Sequence, residues 1–373
     1  MPIELASDQL RAWFTLLRAP TLGAATLREL IARHGDAATA LAAAARDPGT
    51  TEAARDALAR PNSAALAQDF AWLEQPAHHF IPCSSADYPS LLRDAQNPPA
   101  ALFVVGDPAR LWLPQIAIVG ARNASRAGLA NASAFARTFA QSGNAVTSGL
   151  AEGVDGAAHA AALDAGGTTI AVLGTGPDIV YPRLHKALAH RIAAGGALVS
   201  EFPPGTAGKP ENFPRRNRII AGLSLGTLVI EAGLKSGSLI TARLAAEQGR
   251  EVFALPGPIH HPLARGCHKL IRDGAKLVET ADEVLEELRG VGALLAEGLR
   301  QRIAAADAPP ASAAGHCDDP DYVRLLGALD ATPAALDELV GRTALPAPAL
   351  SSMLLVLELE GVVSAENGRY ARR

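Results

Sequence analysis

Between Asn212 and Ala242 the chain NFPRRNRIIAGLSLGTLVIEAGLKSGSLITA sets three guanidinium groups, Arg215, Arg216 and Arg218, one strand-length ahead of Ser236, Gly237 and Ser238. Arginine forks grip carboxylates and phosphates at two points, and backbone N–H groups with hydroxyls at a helix start hold the same anions. Together they predict an anion-binding groove, against the plainer account of three arginines on a solvated face. Arg122 in GARNAS, and Ser148 with Gly149 in SGLAEGVDGAAH, follow other apolar runs and add donors of the same kind. Phe213 contributes a ring that either stacks on a base or plugs a loop, and Asn217 an amide between two of the arginines.

Other residue sets suggest chemistry and fall short of it. Ser148, Asp155 and His159 are the types of a hydrolytic triad, but Ser148 lacks the GxSxG elbow, and Asp155 and His159 at i and i+4 read as a structural pair. His260, His261, Cys267 and His268 would have to converge from a loop to hold zinc, so no metal site is expected. GARNAS is not GxGxxG, and no GxxxxGK[ST] occurs, so neither a dinucleotide cofactor nor nucleotide hydrolysis is expected, and no cofactor is assigned.

These groups need a scaffold, and the apolar pattern supplies one. Seven short β-branched runs, from IAIVG at 116–120 through AVTSG, TTIAVLG, ALVSEF, TLVIEA and EVFALPG to AKLVET at 275–280, alternate with helix-length segments. Strands separated by crossovers of a dozen residues pair in parallel, which predicts a Rossmann-like, doubly wound α/β core with ligands at the strand C-termini, where the loops just named fall. Residues 1–76 carry helical spacing (Leu10, Trp13, Phe14, Leu17), and APTLGAATLREL between the first two helices is weakly similar to a helix-hairpin-helix. Thr21 stands where glycine is usual there, so plain helical packing is favoured. The core spans 77–290, opening with an edge strand and connector over His78–Asp107. A helix from Glu287 to about Ala305 and a linker rich in small residues make up 291–320. In 321–373, Tyr322–Leu329, Pro333–Val340 with Thr332 as N-cap, and about Ala347–Glu360 read as three helices before a hairpin around Glu366-Asn367-Gly368, a winged-helix arrangement. Its third helix, PALSSMLLVLELE, carries no Lys or Arg, which favours protein contact or regulation over base reading.

Bulk properties narrow the partners. With 373 residues, 49% of them hydrophobic, the chain can bury a large core. Its formal net charge of -4 excludes a protein coated in basic charge, so any nucleic-acid contact must be a local groove. Three cysteines without CxxC spacing fit a reducing compartment. With no leader-like N-terminus and no apolar run of membrane length, a soluble cytoplasmic protein without membrane contact is expected.

The series AIVGAR, SGLAEGVDGAAH, TIAVLGTG followed by YP, SEFPPG, FPRRNRIIAGLS, SGSLITA, GREVFALPGP and RGCHKLIRDGA resembles, in order, the DNA-processing protein A (DprA/Smf) family from about Tyr88 to Thr280. The resemblance implies a Rossmann-like core that binds single-stranded DNA without catalysis, forms a homodimer and loads RecA recombinase during natural transformation. It implies that Arg122, Ser148, Gly149, Phe213, Arg215, Arg216, Asn217, Arg218, Ser236, Gly237 and Ser238 line the DNA groove. One departure is His185 in YPRLHKAL, where the family commonly carries Asn or another polar residue. The alternative is a nucleotide-processing enzyme, since the sheet also resembles Rossmann-like phosphoribohydrolases. Thr241 stands where their hydrolytic glutamate would be, leaving Glu231 as the candidate acid.

Overall fold

A computed structural model describes residues 6–290, 320–329, 333–347, 349–350, 353–354, 357, 362–366 and 369–372. The chain divides into two units, Met1–Leu299 and Arg300–Arg373. The first begins with five helices: α1 (Ser7–Arg18), α2 (Ala24–His34), α3 (Ala37–Ala44), α4 (Glu52–Ala59) and α5 (Ser63–Leu73). Asp36, Thr51 and Asn62 start the last three by accepting hydrogen bonds from the backbone N–H groups of Thr39, Ala54 and Ala65. Trp13, Leu16, Leu27, Leu30 and Ile31, at three- and four-residue spacing, close their common core. In the turn between α1 and α2, Thr21 sits at φ 64°, a left-handed conformation that strains a β-branched residue.

The sheet follows. Its strands are β1 (His78–Pro82), β2 (Ala101–Gly106), β3 (Gln115–Val119), β4 (Ala145–Ser148), β5 (Thr169–Val172), β6 (Ala197–Ser200), β7 (Gly226–Val229), β8 (Glu251–Ala254) and β9 (Lys276–Leu277). Between them run α6 (Ser90–Arg93), α7 (Arg126–Gln141), α8 (Val154–Asp164), α9 (Lys186–Gly195), α10 (Asn212–Leu223), α11 (Ser238–Glu247) and α12 (Arg265–Arg272), and residues 281–290 form α13. The order is β1-β2-β6-β5-β4-β3-β7-β8-β9. All seven expected strands pair in parallel, and β1 and β2 extend the β6 edge antiparallel, so the sheet is mixed and the His78–Asp107 stretch holds two edge strands. Side chains alternate between two buried faces. Ile116 and Ile118 of β3 pack with α7, α8 and α13, whereas Ala117 and Val119 pack with α10 and α11. From central β3 the chain winds outward through β4, β5 and β6, then returns to lay β7 on the other side of β3. Loops leaving β3 and β7 therefore diverge at a topological switch point.

The helical segment packs directly on the antiparallel edge. Phe14 of α1 lies 5.1 Å from Phe80 of β1 and 6.1 Å from Phe103 of β2, ring to ring, with Trp72 against Phe103. Arg18 pairs with buried Asp69 at 2.6 Å and also donates to the Pro204 carbonyl beyond β6.

In the second unit α14 spans Pro320–Ala328, β10 Ala334–Ala335, α15 Leu336–Thr343, β11 Val363–Glu366 and β12 Arg369–Arg372. The second helix begins at Leu336 rather than Pro333, because Ala334 and Ala335 are recruited into a three-stranded sheet opposite Tyr370 and Arg369. The hairpin pairs Glu366 with Arg369. Thr332, the turn residues Asn367 and Gly368, residues 291–319 with the expected linker, and much of the third helix lie outside the described residues.

Candidate nucleic-acid interface

Helix α10 starts at the C-terminal ends of the central strands and runs back along the sheet to the start of β7. Its first turn takes Pro214 where no intrahelical N–H bond is required, and its apolar residues Ile219, Ile220 and Leu223 anchor it in the core. That anchoring pushes Arg216 inward. Its Nη1 donates to the Gly149 carbonyl at 2.8 Å and to the Val172 carbonyl, and its Nε to Asn217 Oδ1 at 3.2 Å. One guanidinium thus ties the end of β4 to the end of β5. Burial lowers its pKa to about 10, the Asp155 carboxylate raises it, and Arg122 lowers it further. Asp155 is itself pushed up by burial and held down by Arg216 and by the N–H groups of Ala151 and Gly149, which bond it at 3.3 and 3.1 Å. A Cβ at Gly149 would stand 2.6 Å from the Arg216 nitrogens, so a side chain there displaces the guanidinium.

Above this buried cation opens a small surface notch of about 40 Å³, lined by Arg122, Gly149, Ala151, Glu152, Tyr181, Pro182, Phe213 and Arg216. Four segments meet there, from the ends of β3, β4 and β5 and the first turns of α10. Phe213 and Tyr181 bring their rings to 5.2 Å at 47°, and Phe213 rests on Gly174, where a Cβ would come within 2.8 Å. Tyr181, about half exposed, escaped the sequence reading; the tyrosine-proline pair after a glycine-rich strand end was its signal. His185 Nδ1 lies 3.0 Å from the Leu150 carbonyl, so that nitrogen carries the proton and donates, fastening the Tyr181–His185 turn to the Gly149–Glu152 loop.

The remaining expected residues divide. Arg215 is exposed, lies over the Phe202 ring at 5.2 Å and reaches Glu201 at 3.1 Å. Arg218 is buried against the same Glu201 at 2.5 Å, which corrects its expected place on the groove surface. Ser148 is corrected likewise: it is fully buried and its hydroxyl donates to the Ile118 carbonyl at 2.6 Å. Ser236 and Ser238 hydrogen-bond to each other at 2.7 Å, and the Ser238 N–H turns to the Ser236 hydroxyl, so this turn satisfies part of its own donor set. Asn217 links it to α10 through the Gly237 carbonyl at 3.4 Å. Ser236 lines a separate groove of about 590 Å³ between α11 and α12, outside the notch.

The hydrolytic set comes apart. His159 is buried, and because Thr169 Oγ1 donates to the Val146 carbonyl, His159 Nδ1 must carry the proton that bonds Thr169. Glu231 does not stand free at the switch point: its oxygens accept from Ser125 N–H at 2.8 Å and Ser125 Oγ at 2.6 Å, filling the start of α7 with the chain's own carboxylate. Cys267 is buried against the Val229 and Ile230 carbonyls with its thiol pushed up to about 11, and His268 Nε2 bonds the Gly257 carbonyl. Among the described residues no cluster of three or more metal-ligand side chains forms, and no helix is long and apolar enough to cross a membrane.

Comparison with known proteins gives this arrangement its context. A family model described as DNA recombination-mediator protein A matches residues 79–289, one described as the DprA winged helix domain matches 304–369, and one described as the DprA-like N-terminal HHH domain matches 7–69. The last corrects the preference for plain helical packing: Thr21 takes the left-handed turn that glycine usually makes, and the hairpin is retained. Protein Smf of Escherichia coli is 45% identical over 302 residues, covering 81% of this chain and 79% of its own length. The X-ray structure of DNA processing protein A from Streptococcus pneumoniae is similar at a TM-score of 0.65 and 34% identity, over 76% of this chain and 98% of that one. A Helicobacter pylori structure described as giving insights into the single-stranded DNA binding mode of DNA processing protein A aligns with 54% of this chain and 93% of its own, at a TM-score of 0.51 and 29% identity. With three domain matches in order and close identity across most of its length, this chain belongs to the DNA-processing protein A (DprA/Smf) family.

Proposed function

We propose that the notch and the cations around it hold single-stranded DNA by its backbone and by a stacked base, with no reaction at the site. The observation that carries this reading is the convergence of Arg122, the Gly149 backbone, Phe213 and Arg216 with Tyr181 at one rim of the sheet. Cations and backbone donors hold phosphates whatever the sequence, and the two rings need an unpaired base, which selects single strands over duplex. The ligand named for the Helicobacter pylori relative supports the same class. Exposed Arg215 extends the phosphate path along α10, and Gly237 lies within reach of it through Asn217. Protection of incoming strands in the cytoplasm and loading of RecA recombinase in natural transformation rest on the family resemblance. A homodimer rests on that resemblance and on Leu234 and Ile259, 55% and 73% exposed on the loops after the neighbouring strands β7 and β8. The phosphoribohydrolase reading is disfavoured because Glu231 is committed to Ser125.

The test is a gel-shift titration of single-stranded and duplex forms of one oligonucleotide, with nucleoside monophosphates incubated in parallel. Single strands should bind tighter by about tenfold or more, the scale of one stacking contact, and no base should be released. Equal affinity for duplex, or base release, overturns the reading.

A further inference from the structure

Glu152 runs against the charge of its surroundings. It lines the notch beside Arg122 and Arg216, its side chain is exposed, and among the described residues its carboxylate makes no hydrogen bond or ion pair. Its placement is built in. Gly153, at φ 78°, turns the chain into α8 so closely that a Cβ there would stand 2.3 Å from the carbonyl oxygens of Ala121 and Arg122. The Glu152 backbone is therefore pinned against the Arg122 loop. An unpaired carboxylate beside a phosphate path weakens phosphate binding, so its place is understandable where the strand presents a base edge instead.

The dimensions agree. A shallow notch of about 40 Å³ lets a base approach by its edge, while the Tyr181 and Phe213 rings at its wall offer stacking to the ring outside. In a single strand the Watson–Crick edge is free to be read. Guanine alone presents two adjacent donors there, N1–H and the N2 amine, matching the two oxygens of a carboxylate. Adenine and cytosine set one amine beside an acceptor nitrogen that would face the second oxygen, and thymine sets its one N–H between two carbonyls. We propose that Glu152 reads the guanine edge and gives the groove a preference for guanine at one position. The proposal rests on the single-strand reading above and adds a base specificity to it.

The experiment uses the full chain and fluorescence anisotropy with three oligonucleotides: all-thymidine, the same strand with one central deoxyguanosine, and the same strand with deoxyinosine there, which lacks the N2 amine. The guanine strand should bind about tenfold tighter than the thymidine strand, within the range of one bidentate base contact, and inosine should lose most of that gain. Glu152→Gln, with one acceptor in place of two, should melt like the parent, bind the thymidine strand more tightly because a repulsive charge is gone, and shrink the guanine preference to below about twofold. Equal affinity for guanine and thymidine strands in the parent, or a preference that survives in Glu152→Gln, overturns the assignment while leaving single-strand binding in place. Failure to bind any of the three strands removes the single-strand reading and this inference with it.

Discussion

Arg215 and Arg216 are adjacent in sequence but about 100° apart around α10, and that rotation sends one guanidinium over Phe202 at the surface and the other under the notch against two carbonyls. Their substitutions should therefore separate. Arg216→Ala strips the buried Gly149 and Val172 carbonyls of their guanidinium donor and should cost about 1–3 kcal/mol of stability in thermal or denaturant unfolding. Arg215→Ala leaves Glu201 still paired with Arg218, so it and Arg122→Ala should unfold like the parent within about 1 kcal/mol. Each of these two should instead weaken binding of every single strand and reduce the magnitude of the salt slope by about 0.7. A parent-like melt for Arg216→Ala would show that the two carbonyls do not depend on it. His159 offers a second residue-scale test. Burial, with His185 and Arg216 adding repulsion, depresses its pKa from 6.5 to about 3, so the folded state binds fewer protons than the unfolded one. Its contribution to stability is complete above pH 6.5 and is lost as the pH falls through the window toward 3, at up to about 1.4 kcal/mol per pH unit. His159→Gln should lack this component, read as a shallower fall in unfolding free energy between pH 6.5 and 5.

At the scale of elements, the interface depends on turns as much as on helices. The α1–α2 hairpin holds Thr21 in a left-handed conformation, supported by a 2.7 Å bond between two exposed hydroxyls, Thr21 and Thr51. Thr21→Gly should relieve that strain and raise stability by about 1 kcal/mol, measured by denaturant unfolding. A loss of stability would mean that the hydroxyl pair outweighs the backbone strain. The Gly149–Gly153 loop works the other way: Gly153 meets the Ala121 and Arg122 carbonyls too closely for any side chain, and one at Gly149 would displace the Arg216 guanidinium.

For the molecule as a whole, the aromatic contacts of Phe14 with Phe80 and Phe103 and the bonds from Arg18 to Asp69 and Pro204 make the helical hairpin domain part of the same unit as the sheet. The C-terminal residues form a unit of their own, and the helix expected at its groove-reading position carries no Lys or Arg. Truncation after Ala305 should accordingly leave single-strand affinity within about threefold of the parent, since no phosphate contact is lost. A drop of more than about tenfold in a folded truncated protein would assign a DNA contact to the winged helix.

The alternation of β-branched runs with crossover-length helical segments was enough to dictate seven parallel strands and a rim of polar loops, because parallel pairing leaves few other topologies. The same regularity brought Arg122, Gly149, Phe213 and Arg216 to one place, since each follows a strand end or opens a helix on that rim. Depth was not legible. Whether an arginine faces solvent depends on partners far away in sequence, the Gly149 and Val172 carbonyls for Arg216 and Glu201 for Arg218, and on how firmly Ile219, Ile220 and Leu223 draw α10 into the core. Ser148 could not be distinguished from a surface donor until the Ile118 carbonyl was set beside it, nor Glu231 from a free acid until the switch point brought it to Ser125. Local pattern determines which way the chain runs and which residues reach the rim; only the packing of distant segments decides which polar groups are consumed inside and which remain for a ligand.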